Sequence, residues 1–192
     1  VGAIVGELRS RCASGDRPGL ECGESNVDPG SANPYSRQTL GAEVIEEWQG
    51  LLDVVAELFG VPAGLITRVD GEQIEIFLSS RTEGNPYQSG ATAPYPDSGW
   101  YCERTLKQRS LLLIPDAEKD HQWKDNAAAT GLHMVSYVGV PILRPDGELF
   151  GTMCYLDRKE NAHNETHVRI VQQVKRLVEQ SLRIVSCQQE IS

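Results

Sequence analysis

Apolar residues are densest between residues 134 and 157. Val135, Tyr137, Val138, Val140, Ile142 and Leu143 precede a Pro-Asp-Gly-Glu segment, and Leu149, Phe150, Met153, Cys154, Tyr155 and Leu156 follow it. Asp146-Gly147 tolerates the positive φ of a tight hairpin. Neither run alternates strictly with polar residues, so the pattern predicts a hairpin covered on both faces, in the middle of a sheet. A second hairpin is predicted over residues 63–80, where AGLITRV and EQIEIFLSS flank Asp70-Gly71. There Ile74, Ile76 and Leu78 alternate with Gln73, Glu75 and Phe77, which predicts one face more exposed than the other.

Helical spacing appears at both ends of this strand-rich region. Over residues 40–59, Val44, Trp48, Leu51, Leu52, Val55, Leu58 and Phe59 share one face, and Glu43, Glu46, Glu47, Asp53 and Glu57 the other. Gly60 suits the position after the helix, and Pro62 prevents its continuation. A long helix is predicted over about residues 165–188, with Asn164 as cap and Glu165 in the first turn. Its stripe of Val168, Ile170, Val171, Val174, Leu177, Val178, Ile184 and Val185 is wider than one sheet contact requires, which suggests pairing with the first helix, a second subunit, or both. The spacing of residues 171, 174, 178 and 185 fits a parallel coiled coil, interrupted at Ser181, and a homodimer with these helices side by side is expected.

Between the hairpins the pattern is weaker. Residues 81–99 lack an apolar period and read as a long loop, a length that often marks function. A short helix is expected at 98–108, capped by Asp97 or Ser98. A short strand follows at 111–117, stopped by Pro115, and then one or two helical turns within 120–131, ended by Gly131. Direct hairpins make the sheet mainly antiparallel, so the fold class is α+β, with terminal helices packed on a central sheet.

Composition narrows the function classes. The formal net charge of −9, with no Lys/Arg run, argues against nucleic acid and anionic membranes as partners. No stretch approaches the ~18 apolar residues of a membrane span. The start, VGAIVGELRSRC, has no basic region before its short apolar patch, so it does not read as a signal peptide. The five cysteines are widely spaced with no C-x-x-C pair, which fits reduced thiols in the cytoplasm. Residues 1–36, rich in Gly, Ser, Pro, Asp and Arg, read as a disordered or weakly packed extension. His163 and His167 are four apart, but HNETH does not match a HExxH zinc site, and exposed polar residues at a helix start are expected there.

Three segments together resemble a GAF domain: SSRTEGNPY (79–87), YCERTLKQRSLLLIPDAEKDHQWKDN (101–126) and MVSYVGVPILRPDGELFGTMCYLDRKEN (134–161). The resemblance covers about residues 40–185, and the domain is taken as residues 37–188. It is nearest to the GAF sensors of bacterial diguanylate cyclases and sensor histidine kinases. It implies a central antiparallel sheet, N- and C-terminal helices on one face, and a loop-covered ligand cavity on the other. It also implies a non-enzymatic sensory role, in which a small molecule biases the terminal helices of a homodimer and so a downstream cyclase or kinase. No GGDEF sequence or kinase core is present in the chain.

By position in the family pattern, Ser80, Tyr101, Cys102, Thr105, Asp116 and Trp123 are the candidate ligand-binding residues. Each has a structural alternative: Asp116 capping a turn, Trp123 covering the core edge, Tyr101 packing under the loop. Arg81 would meet an anionic ligand or simply end a strand in solvent. No metal or catalytic residue is assigned, and the sequence identifies no cofactor. Cys102 lies near a helix start with Arg104 close by, a setting that lowers a thiol pKa. Some GAF proteins are free methionine sulfoxide reductases that use cysteines, and that is the alternative reading. Cys154 is expected as a buried small hydrophobe. Cys102 precedes Glu103 rather than a His, which sets it apart from the bilin attachment site of phytochrome-type domains.

Overall fold

The computed structural model describes residues 35–191. The sequence expectation for residues 1–36, with Cys12 and Cys22, therefore lies almost wholly outside the described residues. Tyr35 is within them, buried edge-to-face against Phe150 with ring centroids 6.3 Å apart.

A short helix α1 (Arg37–Leu40) leads into α2 (Ala42–Phe59). Gly60 ends α2 in the left-handed conformation, its N–H reaching back to Ala56 and Glu57, as its sequence position predicted. Then come β1 (Ala63–Asp70), β2 (Gln73–Ser79), β3 (Thr92–Pro94), α3 (Tyr101–Gln108), β4 (Leu112–Ile114) and a 3-10 turn (Ala117–Lys119). Helix α4 (Ala127–Leu132), β5 (Ser136–Leu143), β6 (Leu149–Asp157) and α5 (Glu165–Ile191) complete the order.

The six strands form one antiparallel sheet in the order β3-β2-β1-β6-β5-β4. The expected hairpin β5–β6 lies inside the sheet, with β6 between β1 and β5 and nearly every residue of both strands buried. Its turn is three residues long. Arg144 N–H donates to the Glu148 carbonyl, Gly147 N–H to the Arg144 carbonyl, and Gly147 takes a φ of 84° that a residue with a side chain rarely adopts.

Four details differ from the sequence expectation. Phe77, assigned to the exposed face of β2, is fully buried. Ile66 pairs with Leu78 but Thr67 pairs with Ile76, so Phe77 is the extra residue of a β-bulge and the strict alternation breaks there. The loop 81–99 contains the edge strand β3, three residues too short to carry a period and ending in Pro94, which is tolerated at an edge. Within 120–131 the helix passes through Gly131 and stops at His133, whose left-handed φ of 54° makes it the cap. Helix α3 begins later than expected, with Trp100 at its N-cap.

The two sheet faces carry two separate cores. One joins α1, α2 and α5 to the sheet through Trp48, Leu52, Phe77, Phe150, Tyr155 and Leu182 among others. The second lies under α3, α4 and the loop before α3. The two long helices thus share one face, as expected. The expected helix seam is corrected, however: Val171, Val174, Val178 and Val185 are buried in their own domain. The apolar residues that α5 leaves open are Leu177 (48% exposed), Ile184 (53%) and Ile191 (87%), seven residues apart. Helix α2 likewise leaves Val54 and Leu58 to solvent.

Candidate functional site

Over the sheet face opposite the long helices lies a cavity of about 150 Å³. Leu65, Ile76, Tyr137 and Leu156 form its floor. Pro86, Tyr87, Gln88 and Ala91 of the loop form one wall, Trp100, Tyr101 and Cys102 of α3 another, and Ala127, Ala128 and Leu132 of α4 the third. The strands supply the floor because their side chains on this face are apolar and their neighbours fill the other core. Among the described residues, no Asp, Glu, Lys, Arg or His lines the cavity.

Two anchors hold the walls. The Glu103 carboxylate accepts from the N–H groups of Asp97 (3.0 Å), Ser98 (2.7 Å) and Gly99 (3.3 Å) and from the Ser98 hydroxyl (2.7 Å). Lys107, one turn on, pairs with it at 2.5 Å. Burial opposes its charge, but Lys107 and these donors outweigh burial and hold its pKa at about 2. The incoming loop is thereby fastened to the first turn of α3, as a capping box does at shorter range. Asn126 caps α4 by accepting from Ala128 N–H at 2.9 Å, while its amide donates to the Gly99 carbonyl at 2.7 Å and so ties α4 to the same loop.

Of the six candidate residues, Tyr101 and Cys102 line the cavity. The Tyr101 hydroxyl donates to the Met134 carbonyl at 3.1 Å, and burial, with the nearby Asp116 charge, raises its pKa to about 12. Thr105 lies one turn behind, its hydroxyl 2.9 Å from the Tyr137 phenol oxygen. Trp123 packs edge-on against Tyr101 from outside, at 5.4 Å, and borders a shallow groove with Trp100, Asp97 and Arg104. Asp116 accepts from Glu118 N–H at 3.0 Å and pairs with Lys119 at 3.1 Å, the turn cap weighed as its alternative. Ser80 sits outside the lining, accepting from Gly64 N–H at 2.8 Å and joining β1 to the loop through Thr82 and Asn85. Arg81 is on the surface, with Glu46 at 3.2 Å.

Sequence reasoning missed Tyr87 and Gln88, the loop residues that bring a phenol and an amide to the cavity. The available signal was an aromatic side chain in a stretch otherwise composed for turns, but Tyr95 carries it as well as Tyr87, so the pattern does not single out the lining residue.

Cys102 and Cys154 meet behind the wall, with Sγ atoms 3.6 Å apart. The Cys154 contact favours the Cys102 thiolate and, with Thr152 and Tyr137, outweighs burial to lower its pKa. Burial, then Cys102 itself, pushes Cys154 up. Cys154 is thus buried as expected, but its neighbour is another thiol.

On the opposite face His163 and His167 are not the exposed pair expected. His163 is buried, and His167 stacks on Phe59 at 4.2 Å. Burial, with a smaller contribution from His167, lowers the His163 pKa to about 4. Among the described residues no group of three His, Cys, Asp or Glu side chains is placed to hold a metal.

This architecture has many solved counterparts. The GAF domain region of a putative membrane protein from Geobacter sulfurreducens has a TM-score of 0.63 at 15% identity, over 77% of this chain and 97% of that one. Free methionine-R-sulfoxide reductase from Neisseria meningitidis, in complex with its substrate, has a TM-score of 0.60 at 17% identity, over 76% and 80%. The PixJ GAF domain of Thermosynechococcus elongatus, in its blue-light absorbing form, has a TM-score of 0.57 at 15% identity, over 79% and 94%. At such identities the likeness is one of fold. No protein of curated function matches the sequence. The GAF domain family model matches residues 44–183, most of the chain, and with the sheet order and loop-covered cavity above, the chain belongs to the GAF domain family.

Proposed function

We propose that this GAF domain is a non-enzymatic sensor whose ligand is a small, uncharged, largely apolar molecule. The observation that carries the reading is the cavity lining: about 150 Å³ bounded mainly by aromatic and aliphatic side chains, with no charged group among the described residues. A dry apolar cavity of about this volume holds a molecule the size of benzene. Tyr87, Gln88 and Cys102 offer the few polar atoms that would orient it.

The same lining disfavours the thiol-reductase alternative. A free amino acid brings an ammonium and a carboxylate, and burying both against an uncharged wall is costly. Phosphate-bearing ligands meet the same objection. The output is proposed to run through α2 and α5, which share a core with the back of the sheet and leave Val54, Leu58, Leu177 and Ile184 open for a second copy of the chain. A ligand shifts such an assembly only by its differential affinity for two helix arrangements.

Thermal melting with phenol, indole and free methionine sulfoxide as probes tests this. Phenol or indole should raise the melting temperature in proportion to the logarithm of its concentration once saturating. Ala128→Phe, which fills the cavity, should abolish that shift. A shift with methionine sulfoxide and none with the neutral aromatics would reverse the assignment.

A further inference from the structure

Cys102 and Cys154 occupy unequal positions. Cys102, second residue of α3, lines the cavity, whereas Cys154, in the middle of β6, lies behind that wall. Their Sγ atoms are 3.6 Å apart and both side chains are buried. A disulfide brings its sulfurs to about 2.05 Å, so a further approach of about 1.5 Å would join them. Strand β6 is held by neighbours on both edges and α3 is packed on the sheet, so the approach falls to the two Cys side chains and a small shift of the first turn of α3.

We propose that this pair is a peroxide-reactive dithiol: hydrogen peroxide entering the cavity oxidises Cys102, and Cys154 converts the product into an intramolecular disulfide. Peroxide is close to water in size and uncharged, so it needs no counter-charge, and Tyr87, Gln88 and Cys102 in the lining carry the polar groups that would pair with it. The Cys102 thiolate attacks one peroxide oxygen. An S–O bond forms, the O–O bond breaks, and the leaving hydroxide takes up the thiol proton as water. Cys102 is then a sulfenic acid. Cys154 Sγ attacks Cys102 Sγ, the S–S bond forms, the S–O bond breaks, and the hydroxyl leaves with the Cys154 proton as a second water. Two thiols and one peroxide thus give one disulfide and two waters, and an external dithiol reverses the bridge by exchange.

The roles follow from placement, since only Cys102 meets the incoming oxidant. Its environment agrees, because the Cys154, Thr152 and Tyr137 side chains favour its thiolate. The chemistry does not depend on the ligand-sensing role above, and it requires no charged substrate.

The test uses the full chain with Cys12→Ser, Cys22→Ser and Cys187→Ser, so that only the pair can react. Reduced protein is treated with hydrogen peroxide, denatured, alkylated and mapped by mass spectrometry. The expected product is a Cys102–Cys154 crosslink within one chain, removed by dithiothreitol. Adding Cys154→Ser should leave Cys102 as a sulfenic acid that takes up dimedone, and adding Cys102→Ser should leave Cys154 reduced. Ala128→Phe should slow the reaction severalfold by blocking the cavity. Melting curves establish that each variant is folded, and Cys154→Ala replaces the serine variant if that one is not. Both thiols intact in the folded parent after prolonged excess peroxide would overturn the proposal. Dimedone labelling of Cys154 in Cys102→Ser, or a crosslink only between chains, would do the same.

Discussion

Glu103 and His163 show how the burial of one ionisable side chain sets the response of the fold to pH. The Glu103 carboxylate collects three backbone N–H groups and one hydroxyl, so Glu103→Gln should cost about 2 kcal/mol, the scale of hydrogen bonds to a charged group. Its folded pKa is depressed to about 2 from 4.5, so its stabilisation is present above pH 4.5 and fades as pH falls toward about 2. Urea titrations of parent and variant should therefore converge at low pH, and a constant gap would count against the assignment. For His163 the unfolded chain binds the proton first, because burial lowers the folded pKa from 6.5 to about 4. Its contribution is complete above pH 6.5 and lost as pH falls to about 4. His163→Leu should lose less stability than the parent between pH 7 and pH 5, measured by the same titrations. Neither behaviour was legible in the sequence, where Glu103 is one carboxylate among many and HNETH reads as exposed polar residues. Burial comes from the partners brought up by folding, and a local pattern does not contain them.

At the scale of elements the periodicity served well where a segment was long and failed where register shifted. Helix α5 was visible from its apolar stripe, but the stripe proved to be two faces. One, with Val178 and Val185, belongs to the domain core beside Leu182, which the stripe did not include, and the other, with Leu177 and Ile184, is open. A helical wheel shows the width of a stripe and not which half meets the sheet. Leu182→Ala should cost about 2–5 kcal/mol as a core truncation. Ile184→Ala should cost well under 1 kcal/mol in the isolated chain, as surface substitutions do. Chemical denaturation of the two variants distinguishes them, and equal costs would mean that the faces are wrongly assigned. In β5 a different constraint operates. A Cβ at Gly139 would collide with the Tyr137 phenol. Gly139→Ala should therefore displace Tyr137 from Thr105 and from the cavity floor, destabilising the fold by about 1–3 kcal/mol as overpacking does. A melting temperature equal to the parent's would show that the ring has room to move.

For the whole molecule, the α+β class and the antiparallel sheet were legible, because hairpin turns and apolar runs are local signals, whereas the placing of the long helices on one face came from family resemblance. The position of the cavity came from family resemblance. Its lining depends on which way Tyr87 and Gln88 turn within a loop that has no period. The proposed dimer rests on the surface that remains, Leu177 and Ile184 of α5 with Val54 and Leu58 of α2. If the proposed dimer forms, the parent should sediment as a dimer and the Leu177→Glu, Ile184→Glu double variant as a monomer, with the melting curve of the domain intact. A parent that sediments as a monomer at tens of micromolar (roughly the −6 kcal/mol range of affinity) removes the dimer. Strand β6 has one more consequence. Along it Met153 and Tyr155 enter the core of the long helices, while Cys154 and Leu156 enter the core of the cavity. The two compartments are therefore separated by the thickness of a single backbone. Cys154 on one side is joined by one peptide bond to Tyr155 on the other, whose ring meets Phe59 at the end of α2 with centroids 5.2 Å apart. The shortest covalent route between the two cores is thus a single peptide unit long.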